Sequence, residues 1–359
     1  MAESSSRRDF LTGRAAQAEL EQHLADAAPP ADRPPRPTPQ GGDTVRLGTR
    51  AMACDFDVIL NPGPSPPLVA ASAALDLVDQ LEDQLSVYRE HSELSQLNRR
   101  AANAAVAVEP QLFQLLLRAR ALSEATGRGF DPTAGPLIAL WRAAQAANHV
   151  PTQAEIDSVL ERIGIGHVAF DEDASTVLFT RQGVELNLGS IGKGYALDRA
   201  AECLAAEGIE DWLLHGGHSS LLARGEHQGQ GGWPIGIRDP LFPDRRLATL
   251  LLSGLGMSTS GSGVQFFRHE GRRYGHILDP RTGWPVEGML SVTVLAPTAA
   301  EADALSTAFF VLGLDATRAY CEQHSDVAAL VIPAPAQGRR LEPINCGISE
   351  EWLFWETSG

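Results

Sequence analysis

Cysteine is scarce in this chain. Cys54, Cys203, Cys321 and Cys346 are scattered and form no CxxC pair, so neither a zinc site nor a disulfide framework is indicated, and buried free thiols are expected. No run of 18 apolar residues occurs, which leaves no helix suited to spanning a membrane. Positive charge is in short supply: 29 Lys and Arg stand against 45 Asp and Glu, a formal net charge of −16, which argues against nonspecific nucleic-acid binding. There is no internal repeat, no Walker loop and no dinucleotide fingerprint. Apart from His218 and His276, discussed below, the histidines fall at no metal-ligand spacing. What is present is ordinary for a globular protein: 359 residues, enough for one large domain or two modest ones, with 43% hydrophobic content.

Residues 1–45 read as an extension, poorly ordered, that ends in the proline-rich linker APPADRPPRPTPQGG. SRRDFLTG, starting at Ser6, resembles a twin-arginine export motif, but the apolar stretch that should follow is replaced by RAAQAELEQHLADAA, with Arg14, Glu19, Glu21 and Asp26 in the way. Retention in the cytoplasm is the favoured expectation, and twin-arginine export to the periplasm is the alternative. The folded domain is expected over 46–335, followed by a C-terminal tail, 336–359. Alternation in CDFDVIL predicts a strand, and the stripe Ala71, Leu75, Val78, Leu81, Leu85 predicts a helix over 68–85. A helix over 110–126 has proline in its first turn and Gly127 at its end. Thr152 and Glu155 form a capping box for another, ending near Gly164. Strands are expected at 167–170, 176–180, 184–188, 212–215, 221–223, 247–252, 291–295 and 327–332, with helices at 194–206, 300–312 and near 315–323. Strands and helices without strict alternation make the fold class α+β: a single domain of mixed sheets and packed helices with a ligand cleft.

Two segments in the last quarter carry chemistry: HILDPRTG, 276–283, and EADALSTAFFVLG, 301–313. The second is a helix that sets Asp303 four residues before Thr307, on one face and one turn apart. Two hard oxygen ligands at that separation suit Mg²⁺, which leaves its other positions to water and phosphate oxygens. The plainer alternative is a surface Asp with a Thr bonded back to its own helix. LGSIGKGY, with Gly189, Gly192 and Gly194, leads from a strand into a helix, a turn that lets backbone N–H groups approach a phosphate. Lys193 sits at that helix start, where the helix dipole disfavours a cation unless an anion lodges beside it. His276 has an unperturbed pKa near neutrality and suits a general base. It equally suits a residue that fixes the rigid turn around Pro280 and Gly283, where Asp279 and Arg281 can pair.

Further segments stand in order upstream: MACDFDV from Met52, SVYREHSELSQLN from Ser86, GRGFDPTAGPLIALW from Gly127, ELNLGSIGKGYALD from Glu185, LLHGGHSSLLARG from Leu213 and MSTSGSG from Met257. Taken together, the chain resembles the FAD:protein FMN transferase family, the ApbE-type flavin transferases, over about residues 46–335. The resemblance implies a Mg²⁺-dependent enzyme that splits FAD, esterifies FMN to a Thr or Ser hydroxyl of an acceptor flavoprotein and releases AMP. It implies metal ligation by Asp303, Thr307 and the main-chain carbonyl of Ser190, with His276 as the base. Flavin contacts are implied at Met52, Tyr88, Gly129, Phe130, Asp131, Asn187, Lys193 and Ile277. Met52, Phe130 and Ile277 equally fit a packed core. The acceptor is expected to be a subunit of a membrane redox complex, and the protein itself is not expected to span a membrane or bind nucleic acid. An acidic protein that binds an anionic dinucleotide needs Mg²⁺, a lysine or backbone N–H groups as a local remedy.

Two positions depart from the family pattern. Asn187 stands where an acidic residue is usual, keeping the shape and one acceptor without the charge. His218 follows Gly216–Gly217 where Asp or Asn is common. Storage or delivery of FAD without transfer, and hydrolysis of the FAD pyrophosphate, are the alternatives to transfer.

Overall fold

The alternation in CDFDVIL does make a strand, and it is the second arm of a hairpin. In the computed structural model, which describes residues 38–217, 219–263, 266–335 and 340–356, β1 (Val45–Ala51) pairs antiparallel with β2 (Cys54–Leu60). Only Met52 and Ala53 connect them, at φ 51° and 62°, the left-handed pair of a type I′ turn. Neither is the Asn or Gly that such a turn favours, so each costs on the order of 1 kcal/mol of backbone strain.

Helices α1 (Leu68–Leu85) and α2 (Glu93–Arg100) follow, then the short strand β3 (Val106–Ala107) and helices α3 (Pro110–Ala125), α4 (Gly135–Ala146) and α5 (Gln153–Leu160). The hairpin of β4 (Val168–Asp171) and β5 (Thr176–Phe179) precedes α6 (Gly192–Ala206). Strands β6 (Trp212–Gly216), β7 (Ser220–Arg224), β8 (Trp233–Arg238), β9 (Arg246–Leu252) and β10 (Gly256–Gly261) come next. A second hairpin, β11 (Phe266–His269) and β12 (Arg272–Gly275), leads to β13 (Met289–Ala296), α7 (Ala299–Leu312) and α8 (Leu314–Gln323). The last strands are β14 (Ala328–Pro333), β15 (Ile344–Cys346) and β16 (Leu353–Trp355). The α+β class therefore holds. The predicted stripe of α1 is buried along its length. The capping box of α5 is closed, with Glu155 N–H donating to the Thr152 hydroxyl and Thr152 N–H donating to the Glu155 carboxylate.

Eight strands form one antiparallel sheet in the order β1-β2-β6-β7-β10-β13-β14-β15. Its two faces follow from the period of two along each strand. Leu214, Leu222, Val292, Val294, Ala329 and Val331 face a core shared with α1, α6 and α7. Leu213, Leu221, Ala223, Leu295 and Leu330 face the three-stranded sheet β16-β9-β8, packing on Trp233, Ile235, Leu250 and Leu353. The molecule is thus layered as helices, large sheet, small sheet.

Several expectations need correction. Residues 184–188 are not a strand, although Val184, Leu186 and Leu188 are buried. Asn98 takes the place of a neighbouring strand: its side chain accepts from Leu186 N–H (2.8 Å) and donates to Leu186 C=O (2.9 Å). Only one bridge, Glu185 to Ala134, is strand-like. Residues 259–261, for which no strand is predicted, lie in β10, because β13 pairs with that segment. The segment read as a tail contributes β15 to the large sheet and β16 to the small one. At the other end, Gln40 and Gly42 of the proline-rich linker are tied by hydrogen bonds to Gln230 and His227. The twin-arginine segment lies outside the described residues. The four cysteines are free thiols as expected, but only Cys346 is buried and the others are half-buried.

Helix α7 is buried almost all round, by Ala299, Ala300, Ala302, Ala304, Leu305, Ala308 and Phe309 among others, as a helix between a sheet and a second helix must be. It crosses α6 so closely that a Cβ on Gly194 would run into the Ala299 carbonyl, and it lies so close to β10 that one on Gly256 would be 2.5 Å from Ala299 N. The first-turn N–H groups of α7 are satisfied across this crossing. Asp198 of α6 accepts from Ala299 N–H (2.8 Å) and Ala300 N–H (2.9 Å), and Thr298 accepts from Glu301 N–H (3.2 Å). Burial pushes the Asp198 pKa up to about 6 against the pull of those two N–H groups. A folded pKa above the unfolded value means that the stability linked to this proton is present below about pH 4 and is lost as pH rises through about 6. Urea denaturation should therefore show wild type gaining about 1 kcal/mol on Asp198→Asn between pH 7.5 and pH 5. An equal difference at both pH values would mean that Asp198 titrates normally.

Candidate active site

The anion that Lys193 needs at the start of α6 is supplied from within the chain. It is Asp303, buried on α7. Asp303 Oδ1 accepts from Lys193 Nζ (3.2 Å), Ser220 Oγ (3.1 Å) and Ser258 Oγ (3.1 Å). Oδ2 accepts from Lys193 Nζ (3.3 Å) and from Gly194 N–H (3.2 Å), one of the unpaired donors of the first turn of α6. Each partner is placed by its element. Ser220 and Ser258 lie on β7 and β10, directly opposite each other in register, on the face toward the helices. Gly194 is where the two helices touch.

Thr307 is one turn along α7. Its hydroxyl lies 3.5 Å from the Asp303 carbonyl and 3.4 Å from the Ser260 hydroxyl, both weak bonds. Ser260 also meets Ser306 at 3.0 Å. Alternation along β10 thus puts Ser258 against the carboxylate and Ser260 against the next turn. Two further turns of α7 carry two loops. Gly129 of the GRGFDP loop packs so tightly that an added Cβ would lie 2.7 Å from Leu312 Cγ and 3.1 Å from the Ala308 carbonyl oxygen. Phe310 lines a small cavity with Ser262, His276, Ile277 and Val286.

The loop carrying His276 is rigid, and its anchors are apolar. Tyr274, two residues before, is buried with Trp141, Phe267 and Trp284. Ile277, one residue after, is buried in the main core. Asp279 accepts from the N–H and guanidinium of Arg281, so these two do pair. Trp141 Nε1 donates to the Gly283 carbonyl at 2.8 Å. His276 itself is exposed, available to a substrate from the solvent side.

The remaining predicted residues divide between the site and its supports. The Met52 turn lies beside Lys193: a Cβ on Gly217 would be 2.7 Å from Cys54 Sγ and 3.9 Å from Lys193 Cδ. Burial raises the Cys54 thiol pKa, so it is a neutral neighbour. Phe130 is a core residue. Asp131 is buried, and its carboxylate accepts from Arg128 Nε, Thr133 N–H and the Thr133 hydroxyl, which braces the loop that presents Gly129. Asn187 N–H donates to Pro132 C=O (2.7 Å), and its side chain accepts from Gly189 N–H (2.9 Å). It shapes the LGSIGKGY turn, in which Ser190 is half-buried. Tyr88 is 67% exposed, with the Arg142 guanidinium 4.8 Å from its ring centroid and bonded to its hydroxyl. His218 lies outside the described residues.

Sequence reasoning did not find Ser220, Ser258, Ser260 or Asp198. The alternation in MSTSGSG could have put Ser258 and Ser260 on one face, but nothing local pointed them at Asp303. Among the described residues no three His, Cys, Asp or Glu side chains cluster as a metal-binding group. The donor set at Asp303 is instead one carboxylate and hydroxyls, hard oxygen chemistry that fits Mg²⁺ held jointly by protein and phosphate. The weakly bonded Thr307 hydroxyl is available to such an ion.

Known proteins resemble this chain over most of its length. Residues 52–331 match the model of the ApbE family. A FAD:protein FMN transferase of Klebsiella pneumoniae (strain 342) is 33% identical over 288 residues, 77% of this chain and 88% of that protein. One from Treponema pallidum (strain Nichols) is 33% identical over 285 residues, 74% and 78% respectively. Among solved structures, the ApbE protein of Thermotoga maritima superposes with a TM-score of 0.73 at 31% identity, covering 81% of this chain and 94% of that one. The flavin transferase ApbE of Vibrio cholerae gives 0.73 at 26%, covering 84% and 97%.

The Asp303 cluster predicts its own energetics. Ser220→Ala and Ser258→Ala each remove a hydroxyl from a buried carboxylate and should each lower stability by about 1–3 kcal/mol. Urea denaturation of the two variants measures this, and losses below about 0.5 kcal/mol would show that the hydroxyls do not serve the carboxylate.

Proposed function

The chain belongs to the ApbE family, and on that premise we propose that it is a FAD:protein FMN transferase, which moves FMN from FAD to a hydroxyl of an acceptor protein. The observation that carries the reading is the buried Asp303 carboxylate, joined to Lys193, Gly194, Ser220 and Ser258, with Thr307 a turn away. In the reaction the phosphorus–oxygen bond between the FMN phosphorus and the bridging oxygen breaks. A bond from the acceptor Thr or Ser Oγ to that phosphorus forms, and AMP leaves with the bridging oxygen. Such a transfer asks a protein mainly for positioning and for neutralisation of phosphate charge.

Asp303, Thr307 and the Ser190 carbonyl would hold Mg²⁺. When bound, the ion supplies positive charge to the phosphate oxygens and fixes their orientation. Lys193 adds a cation at the same place. His276, on its braced loop, takes the proton from the acceptor hydroxyl. The hairpin turn at Met52, the Gly129–Phe130 loop, Ile277 and Tyr88 supply the surfaces for the flavin, and Asp131 and Asn187 hold the loops that present them. The acceptor is a flavoprotein subunit reached from solvent, in keeping with the exposure of His276.

Incubation with FAD, Mg²⁺ and a family-type acceptor should give an acceptor band that fluoresces yellow on a denaturing gel, with the mass gain of an FMN phosphoester. Asp303→Asn and Thr307→Val should abolish the band, and His276→Ala should slow its appearance by roughly 10²–10⁴-fold. FAD bound but never transferred would leave a storage protein. AMP release without labelling would leave a pyrophosphatase.

We further propose, on separate grounds, that the reaction takes place in the cytoplasm. A signal segment must enter the membrane, where central charges cost about 2.5–3.5 kcal/mol each, and Arg14, Glu19, Glu21 and Asp26 lie in that segment. Residues 1–45 fused to a reporter active only after folded export should give no signal. A signal that disappears on changing Arg7 and Arg8 to Lys would reverse the assignment.

A further inference from the structure

The carboxylate expected to hold the metal is already fully bonded. A carboxylate offers about four lone-pair sites, and Asp303 has five contacts from four groups, all 3.1–3.3 Å long. Charge-assisted bonds of the strong kind are nearer 2.7–2.9 Å, so the donors share the anion instead of one of them dominating it. A divalent cation can reach Asp303 only if one donor yields. Gly194 cannot, because its N–H belongs to the first turn of α6 and its Cα is pressed against Ala299. Ser220 and Ser258 are 0% and 1% exposed on adjacent strands of the large sheet. Lys193 alone has a flexible four-carbon stem and a side chain that reaches solvent, 22% exposed against 5% for Asp303.

We propose that Lys193 is a built-in place-holder for the divalent cation, and that its displacement couples metal binding to dinucleotide binding. The inference rests on the reading of Asp303 as a metal ligand. With no ligand bound, the ammonium neutralises the buried carboxylate. An arriving dication takes over the carboxylate and repels the ammonium beside it. Lys193 then needs another anion, and the pyrophosphate of the dinucleotide is the one at hand, beside the N–H groups that open α6. The cation alone therefore binds at the cost of an unpaired lysine, and the dinucleotide alone meets a lysine still held by Asp303. Each ligand relieves the penalty on the other, and by linkage the factor is the same in both directions. This also gives a strongly acidic chain, net charge −16, a positive group that is kept neutralised until an anionic substrate arrives.

The test uses the full chain, Mn²⁺ as the metal probe, and FAD without acceptor. Free Mn²⁺ is measured by electron paramagnetic resonance and FAD binding by flavin fluorescence. In wild type, FAD should tighten Mn²⁺ binding at least tenfold, and Mn²⁺ should tighten FAD binding by the same factor. Lys193→Met should bind Mn²⁺ about tenfold more tightly than wild type when FAD is absent, and the coupling should fall below threefold. Lys193→Gln, which keeps a neutral donor for Asp303 and so preserves the fold if Lys193→Met does not, should behave in the same direction. Asp303→Asn gives the background from Mn²⁺ held by FAD itself. If Asp303→Asn binds Mn²⁺ as wild type does, the metal assignment fails. If Mn²⁺ binding is lost in Asp303→Asn, yet neither Lys193 variant binds Mn²⁺ more tightly without FAD, the metal assignment stands and the place-holder role is overturned.

Discussion

The site depends on one buried carboxylate at a helix crossing. Asp303 draws together the start of α6 through Lys193 and Gly194, the strand β7 through Ser220 and the strand β10 through Ser258. A carboxylate taken out of water must be paired or strongly hydrogen-bonded, and here the partners come from three separate segments of the chain. The same contacts that make the charge tolerable fix the positions of the groups that would surround a phosphate. The approach of α6 to α7 depends on Gly194 having no side chain, and that of β10 to α7 on Gly256 having none; Asp198 closes the helix crossing by capping the first turn of α7.

The rest of the architecture serves that crossing. The large sheet gives the floor, and its period of two sends Ser220, Ser258 and Ser260 toward the helices while Leu221 and Met257 go into the second core. Helix α7 rises from this floor with successive turns devoted to different tasks. Asp303 meets Lys193, Thr307 meets Ser260, Ala308 and Leu312 bear on the Gly129 loop, and Phe310 bears on the His276 loop. A displacement of α7 along its axis would therefore move every part of the site at once. The His276 loop is held independently as well, by the aromatic cluster of Trp141, Phe267, Tyr274 and Trp284, so the proposed base and the proposed metal ligands stand on separate but touching supports.

Two supports explain residues that looked like ligands. The Asp131 carboxylate accepts from Arg128 and Thr133, and the Asn187 side chain accepts from Gly189 N–H. Both stabilise loop shape. Asn187 in particular does a backbone task, for which one neutral acceptor suffices, and this accounts for an uncharged residue at a position where an acidic one is usual.

Local chemistry was legible in the sequence wherever a short segment sufficed. The stripe of α1, the capping box of α5, the pairing of Asp279 with Arg281 and the one-turn spacing of Asp303 and Thr307 each depend on residues within a few positions of one another, and each stands in the structure. The need for an anion beside Lys193 was legible as well, from the helix dipole. Its identity was not, because Asp303 is 110 residues away and only the crossing of α6 and α7 brings it there. Nothing local singles out Ser220 or Ser258; the pairing of β7 with β10 puts them side by side. Residues 184–188 carry a strand's apolar alternation but lack a strand partner, because the Asn98 side chain takes the backbone groups that a ladder would use. The sequence by itself determined which residues could do chemistry and which short segments would hold their own shape. The tertiary structure decided which of those residues share one charge, because desolvation makes a buried carboxylate select its partners by position in space, and sequence distance has no bearing on that choice.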